Sequence, residues 1–441
     1  MRWHMFTTTD EFIDFLRSHS KFSMNLGLER MERACELLGN PQLQLKTIHV
    51  AGTNGKGSTC NYLMHLLKAS GFRVGLFVSP YIEVFNERIQ MNGDYISDDE
   101  LIKTANKLLP VIEQVEEERG ETLTEFEIIT LLSYVYFYDQ KVDYVIYEVG
   151  LGGRFDATNV IHPIVAGITN ISLEHTDVLG HTISQIAYEK SGIAKPGITL
   201  FTTERHIDAL TVFKEKQHEV FYTLVPLNTD ELTTDQTLLD GGVSFTYLPF
   251  KTKITLPLIG FHQVDNAVLA LQMYQFIMEQ ERQTIDIELV KDAIRNAYWP
   301  GRIEIISKHP FIILDGSHNE AGVKRLIETM MYYINRGYKI HTIFTALRDK
   351  DTKIMIEHLE TISSSICFTS FPFARASRAK DLACNSNHPN KWIKEDFKEA
   401  IKTKLQHLQG DELLLITGSL YFISQVKHFL QHEFHIEKYN E

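Results

Sequence analysis

The stretch "HVAGTNGKGST", His49–Thr59, stands between a short apolar run and an amphipathic one. Upstream, Ile48 and Val50 belong to a β-rich run from Lys46 to Val50. Downstream, Tyr62, Leu63, Leu66 and Leu67 recur at helical spacing until Gly71, a residue suited to a helix C-terminal cap. Between the two, Gly52, Gly55 and Gly57 let the backbone turn tightly and bring consecutive N–H groups against a polyphosphate, to which the helix N-terminus adds its partial positive charge. Lys56 has the length to reach the β- and γ-phosphates, and Ser58 or Thr59 can face the nucleotide's metal ion. The string departs from the usual P-loop because Gly57 intervenes between the lysine and the hydroxyl. A plain glycine-rich turn is the alternative; the coincidence of lysine, hydroxyls and strand-to-helix context favours phosphate.

"AGTNGKGS" resembles the nucleotide loop of the folylpolyglutamate synthases and dihydrofolate synthases, relatives of the Mur cell-wall precursor ligases. The resemblance assigns ATP binding to Gly52, Thr53, Asn54, Gly55, Lys56, Gly57 and Ser58.

At 441 residues the chain exceeds what one hydrophobic core usually serves, so two or three domains are expected. A formal charge of −13 argues against a general nucleic-acid or membrane-surface binder, which needs dense basic patches. Cys35, Cys60, Cys367 and Cys384 have no paired spacing, so neither a zinc site nor a disulfide framework is indicated. The N-terminal "MRWHMFTTTDEF" lacks the apolar core of a signal peptide, and no apolar run is long enough to span a bilayer. A cytoplasmic monomer acting on small molecules is expected.

Asp10 to His19 and Leu28 to Leu38 read as helices, the second ending at Gly39 with Pro41 beyond. Between them, "FSMNLGLERM" is similar to the family's "DLGLER" segment, which implies contact of Asn25, Leu26 and Gly27 with the pterin. Asn25 replaces the usual Asp and removes an anionic partner. Ser79 and Pro80 fall at the end of a strand, where open α/β sheets keep their ligands. "SPYIEVFNERI" is similar to the family loop that closes over folate and whose serine is a magnesium ligand, so Ser79 inherits that role. Asp98 to Gly120 is charged and helical, read as a solvated face. Thr124 and Glu127 have the spacing of a capping box. The family's "TxFE" motif falls on the same residues, Thr124, Glu125, Phe126 and Glu127, and lines the pterin pocket; both readings stand.

"VDYVIYEVGLGGRFDATN" is the second strong signal. Val142, Val145 and Ile146 mark a buried strand, and Glu148 arrives as it ends. A carboxylate there is costly unless paired or bound to metal, and P-loop enzymes keep a magnesium-holding acid at such a place. Gly150, Gly152 and Gly153 are read as leaving room for a ligand against the backbone. The string is similar to the family's "EVGLGGRxDATN", through which Phe155, Asp156 and Ala157 map to substrate contact. After the next strand, "PIVAGITNI", the family pattern "DHxxxLGxTxxxIAxEKAGI" makes His175 a magnesium ligand and Lys190 a lysine carbamylated by carbon dioxide; Glu174 replaces the usual Asp. Alone, His175 reads as a structural histidine and Lys190 as a salt-bridged one. A carbamate turns a cation into an anion where a second Mg²⁺ needs one.

Ala209 to Phe250 reads as a variable surface region with a β segment around Val243 to Leu248. Asn266, which precedes an apolar helical stripe, corresponds to the Asn of "GxHQxxNA", an adenine-side contact in the family; helix capping is the alternative. Pro300 and Gly301 in "AYWPGRIEII" mark a boundary. Strands at Phe311 to Leu314, His341 to Thr345 and Leu413 to Ile416 then alternate with helices, the sign of a second, Rossmann-like parallel sheet without its own phosphate loop. Arg302 matches the family's "PGR" arginine that reaches ATP. Asp315, at a strand end, can accept from ribose hydroxyls. "LDGSHNEAG" resembles "DGAHNP" and brings His318; "TGSLYFISQV" resembles "TGSLY" and places Ser419 near the incoming amino acid.

The expected architecture is α/β in two domains, residues 1–298 carrying a P-loop ATPase-type sheet and 299–441 a Rossmann-like parallel sheet. Nucleotide groups are expected from both. The implied enzyme is an ATP-dependent ligase that adds L-glutamate to folates, and to dihydropteroate if bifunctional, through an acyl phosphate, with ATP and two Mg²⁺. Lys56, Lys190 and His318 carry the catalytic roles. A Mur-type peptide ligase is the neighbouring alternative, and a P-loop phosphotransferase or nucleotide switch the distant one.

Overall fold

A computed structural model describes residues 5–19 and 27–434. Contacts divide the chain into two units: the described residues up to Leu232 join Asp265–Ala297, and Thr233–Val264 joins the residues from Tyr298 onward. The expected division between 298 and 299 therefore misses one excursion, residues 233–264. Its ties explain the difference: the Tyr332 hydroxyl donates to Asp240 Oδ1 at 3.1 Å and that of Tyr333 to the Asp240 carbonyl at 3.3 Å.

In the first unit, β1 (Thr47–Ala51), β2 (Val74–Phe77), β3 (Ile89–Met91), β4 (Asp94–Tyr95), β5 (Tyr144–Glu148), β6 (Val165–Ile168), β7 (Thr199–Thr202) and β8 (Thr223–Pro226) form one sheet, ordered β4-β3-β2-β5-β1-β6-β7-β8. From β2 to β8 in that order neighbours are parallel; β3 and β4 are antiparallel additions. Every residue of β1, β2, β5 and β6 is buried, as the near-continuous apolar runs of a sheet covered on both faces require. One core cluster gathers Phe77, Tyr134, Phe137 and Tyr147; another gathers Ala51, Ile168, Leu200 and Phe213.

Helix Asp98–Arg119 is not the solvated face its charges imply. It buries Leu101, Ala105, Leu108, Ile112 and Val115, one apolar stripe at helical spacing. The region from Ala209 to Phe250 is likewise more structured than expected: helix Ile207–Val220 buries Ala209 and Phe213, and β9 (Thr233–Leu239), β10 (Gly242–Tyr247) and β11 (Thr252–Leu256) form an antiparallel sheet.

The second unit holds that small sheet and a six-stranded one. The strands β12 (Glu304–Lys308), β13 (Phe311–Asp315), β14 (Lys339–Phe344), β15 (Ser363–Ser370), β16 (Lys391–Asp396) and β17 (Glu412–Thr417) are ordered β12-β13-β17-β14-β15-β16. Only β12 is antiparallel to its neighbour. Register sets Asp315 and Phe344 on either side of Thr417, so the loops carrying His318 and Ser419 leave adjacent strand ends. Among the described residues no helix is long and apolar enough to cross a membrane.

Candidate active site

The phosphate loop leaves β1 through Gly52 (φ 140°) and enters helix Lys56–Ala69 through Gly55 (φ 87°), which occupies the N-cap in the left-handed region. Side chains there would also collide: a Cβ on Gly52 would lie 1.8 Å from Thr169 Oγ1, and one on Gly55 2.2 Å from Asn266 Oδ1. The first hydrogen bond of the helix runs from Thr59 N to the Gly55 carbonyl at 2.9 Å. Ahead of it, the amides of Gly55 to Ser58 have no acceptor within the helix. Lys56 folds back over the loop and donates to the carbonyls of Gly52 and Thr53 at 3.0 and 3.2 Å. Ser58 is buried, and its hydroxyl has no hydrogen-bond partner among the described residues. Open amides, a lysine and an unsatisfied hydroxyl at a helix start are what a polyphosphate and its metal ion need.

A second strand end braces this loop. Asn54 N donates to Asn170 Oδ1 at 3.1 Å, and the Asn54 carbonyl accepts from Asn170 Nδ2 at 2.9 Å and from Thr169 Oγ1 at 2.6 Å. Thr53 N donates to the Asn170 carbonyl at 2.7 Å, while Thr53 Oγ1 accepts from Ser172 N at 3.0 Å. One step further out, Thr203 Oγ1 donates to the Thr169 carbonyl at 3.0 Å, and the buried Glu204 carboxylate accepts from Ile171 N. Asn170 is absent from the expected site residues, although "TN" at the end of an apolar strand is a detectable sign.

Glu148 closes β5 in register with Val50 of β1, which brings it to the loop's side of the sheet. It is buried, and its Oε2 accepts from Ser79 N at 3.0 Å. Lys190, on helix Ile183–Ser191, is also buried and donates to the Gly52 carbonyl at 2.8 Å. Burial, with the charge of Lys56 next, pushes its ammonium down to about 7; Glu174 and Asp156 oppose the shift. His175 takes the left-handed conformation (φ 50°) at the N-cap of the short helix Thr176–Leu179, with its side chain 40% exposed and Nε2 3.9 Å from Glu174 Oε1. The Glu148 carboxylate and the Ser58 hydroxyl are oxygen donors of the kind Mg²⁺ takes beside phosphates, while among the described residues no three His, Cys, Asp or Glu side chains gather as a metal site by themselves.

In the second unit the Asp315 carboxylate is buried and accepts from Ile303 N at 3.0 Å and Ser317 N at 2.9 Å. Arg302 NH1 donates to the Gly301 carbonyl at 3.3 Å. His318 is half-buried, its Nδ1 2.9 Å from the Gly316 carbonyl. Gly418 (φ 121°) precedes Ser419, and a Cβ there would lie 1.7 Å from the Thr345 carbonyl oxygen; the "TGS" turn admits no larger residue.

A family model described as the Mur ligase middle domain matches residues 50–274, and one described as the Mur ligase glutamate ligase domain matches 301–420. The chain is 40% identical over 430 residues to a Bacillus subtilis (strain 168) protein named dihydrofolate synthase/folylpolyglutamate synthase, covering 96% of this chain and 99% of that one. The chain belongs to the folylpolyglutamate and dihydrofolate synthase family of Mur ligases. It is 33% identical over 424 residues to folylpolyglutamate synthase of Lacticaseibacillus casei, covering 95% and 98% of the two. Among solved structures, Mycobacterium tuberculosis folylpolyglutamate synthase complexed with ADP resembles it with a TM-score of 0.87 at 27% identity, covering 96% and 98%.

The other motifs of the folylpolyglutamate synthase family have identifiable physical tasks here. Asn25 and Leu26 lie outside the described residues; Gly27 is partly exposed. Thr124 and Glu127 do form the capping box: Glu127 N donates to Thr124 Oγ1 at 3.2 Å and Thr124 N to Glu127 Oε2 at 2.7 Å. Glu127 also pairs with the buried Arg30 of "GLERM" at 3.0 Å, and Glu125 pairs with Arg88 of "FNERI" at 3.3 Å. Capping and motif thus share residues. The glycines after Glu148 make room for protein rather than ligand. A Cβ on Gly150 would meet the Phe126 ring at 2.6 Å, and one on Gly153 the carbonyls of Lys190 and Glu189 at 2.8 and 2.9 Å. Asp156 is buried, accepting from Leu151 N at 2.8 Å and Thr158 N at 3.1 Å. Ala157 is buried, whereas Phe155 is 40% exposed, with the Arg154 guanidinium 4.3 Å from its ring centre.

Proposed function

We propose that the chain is an ATP-dependent ligase that joins the amine of L-glutamate to the γ-carboxylate of a folate, and to dihydropteroate as a second acceptor. The observation that carries the reaction class is the helix start at Lys56, where open amides, the Ser58 hydroxyl, the half-buried Lys56 amine and the buried Lys190 amine surround one loop. The acceptor is inferred from the names of the relatives.

A carboxylate is a poor electrophile at neutral pH. Its oxygen therefore first attacks the γ-phosphorus of ATP, the bond to the β-phosphate oxygen breaks, and ADP leaves. Lys56 and the amides of Gly55 to Ser58 hold the phosphates and neutralise charge on the transferring group, with Gly52, Thr53 and Asn54 shaping the loop. When bound, Mg²⁺ adds charge neutralisation, and Ser79, Glu148, His175 and a carbamate on Lys190 are the groups assigned to hold two such ions. Carbamylation needs a neutral amine, and Lys190, pushed down to about 7, supplies one near neutral pH. The glutamate amine then attacks the acyl carbon, loses a proton, and phosphate departs as the amide forms.

Asn266, Arg302 and Asp315 are assigned to the nucleotide, His318 and Ser419 to glutamate. Gly27, Thr124, Glu125, Phe126, Glu127, Phe155, Asp156 and Ala157 are assigned to the pterin-bearing acceptor, with Phe155 the exposed ring of that group. The four cysteines are free thiols, which suits the reducing cytoplasm to which the chain is assigned, as a monomer.

The test is phosphate release from ATP with glutamate and either tetrahydrofolate, dihydropteroate or a UDP-linked acceptor. Release that requires glutamate and a pterin-bearing acceptor supports the reading. Turnover without glutamate, or only with the UDP-linked acceptor, overturns it.

A further inference from the structure

The turn between Pro300 and β12 is held more firmly than a linker requires. Ile303 has φ 47°, a conformation that β-branched residues avoid and that persists only where its surroundings over-determine it. Asp315 accepts from Ile303 N at 3.0 Å. Glu304 Oε2 accepts from Gly301 N at 2.9 Å, and the Gly301 carbonyl accepts from Gly316 N at 3.0 Å. Arg302 sits between these clamped neighbours.

Glu304 is itself pinned. Its Oε1 lies 3.0 Å from Lys427 Nζ, each side chain being 4% exposed, and accepts the Tyr298 hydroxyl as well. Lys427 Nζ is 3.5 Å from that hydroxyl and 5.9 Å from the Tyr298 ring centre. An ion pair this deep gains little stability over well-packed apolar residues, because desolvating both charges offsets their attraction. A role in fold stability therefore does not account for it, whereas the strained turn it grips offers a reason.

We propose that Glu304 and Lys427 are positioning residues: the Lys427 ammonium fixes one carboxylate oxygen of Glu304 so that the other holds Gly301 N, and the clamped turn aims Arg302 at the nucleotide. The proposal rests on the reading of Arg302 as an ATP contact. It is tested on the full chain by comparing the parent, Arg302→Ala, the apolar pair Glu304→Leu with Lys427→Met, and the triple variant, reading the Kd for ADP by calorimetry beside the melting temperature. The apolar pair is expected to melt near the parent and to bind ADP roughly tenfold more weakly, since a charge-assisted hydrogen bond to the turn is lost. In the Arg302→Ala background the same pair should weaken binding by less than about twofold, because the group it aims is gone.

An apolar pair that keeps the parent's Kd, or that weakens binding equally in both backgrounds, overturns the proposal. An Arg302→Ala variant with unchanged Kd would instead remove the reading beneath it. Should the apolar pair not fold, Glu304→Gln, which releases Lys427, serves in the same comparison: weakening that disappears without Arg302 supports the proposal, and unchanged or undiminished weakening overturns it.

Discussion

Lys56 and Lys190 donate to the same oxygen, the carbonyl of Gly52, at 3.0 and 2.8 Å. Two amines with one acceptor repel when both are charged. That repulsion adds to burial in driving the Lys190 ammonium down to about 7.

The shift makes stability depend on pH, and its sign is definite. Between about 7 and the ordinary lysine value of 10.5 the unfolded chain holds a proton at Lys190 that the folded chain has released. Stability then rises with pH across this window, and the full cost is felt below about 7. Lys190→Met should therefore be more stable than the parent in urea unfolding in carbon-dioxide-free buffer near neutrality, with the gain shrinking toward pH 10.5. A gain independent of pH would contradict this.

If the neutral amine takes up carbon dioxide, activity should fall in stripped buffer and return with bicarbonate. Lys190→Ala should lose on the order of 10²–10³ in kcat and gain nothing from bicarbonate. Carbon-13 bicarbonate should give a carbamate resonance in the parent that the variant lacks.

Lys56→Ala should leave the fold in place, since the ammonium donates to the loop carbonyls of Gly52 and Thr53. Phosphate release should drop by roughly 10³ or more, the size of effect expected where a cation neutralises a transferring phosphoryl group. A near-parental rate would remove the phosphate role.

Asn170 reads both the N–H and the carbonyl of Asn54. Asn170→Ala should raise the KM for ATP by roughly tenfold to a hundredfold through two lost hydrogen bonds. Asn170→Asp keeps the acceptor but opposes its charge to the Asn54 carbonyl, so its KM should also rise. Equal KM in all three proteins would show that the loop holds its shape unaided.

Gly153→Ala forces a methyl to within 2.8 Å of the Lys190 carbonyl and 2.9 Å of that of Glu189, both backbone atoms. Either the Lys190 helix or the loop must shift, at about 1–3 kcal/mol. A lowered melting temperature with a matching loss of activity is expected; an unchanged melting temperature would mean the contact is soft.

The site's strand-end groups were legible because an apolar run announces where a buried strand stops, and Glu148 stands at that stop. Lys56 was legible for the same reason, one residue into a helix that follows a strand. Asn170 was missed although its Thr-Asn pair ends an apolar strand, because its partner Asn54 is distant in sequence and nothing local ties the two. The charges of Asp98–Arg119 hid an apolar stripe that spacing alone reveals. Gly150 and Gly153 were read as space for a ligand, because sequence cannot distinguish close approach by a substrate from close approach by a phenylalanine or another helix.

The excursion of residues 233–264 bears on how the protein is made. The ribosome releases this three-stranded piece before any of the residues from Tyr298 onward with which it packs, and before Asp265–Ala297, which the first unit still awaits. Neither half can finish folding as a nascent chain until its later segment emerges. Cutting the gene between residues 298 and 299 would therefore strand the three β segments on the wrong fragment.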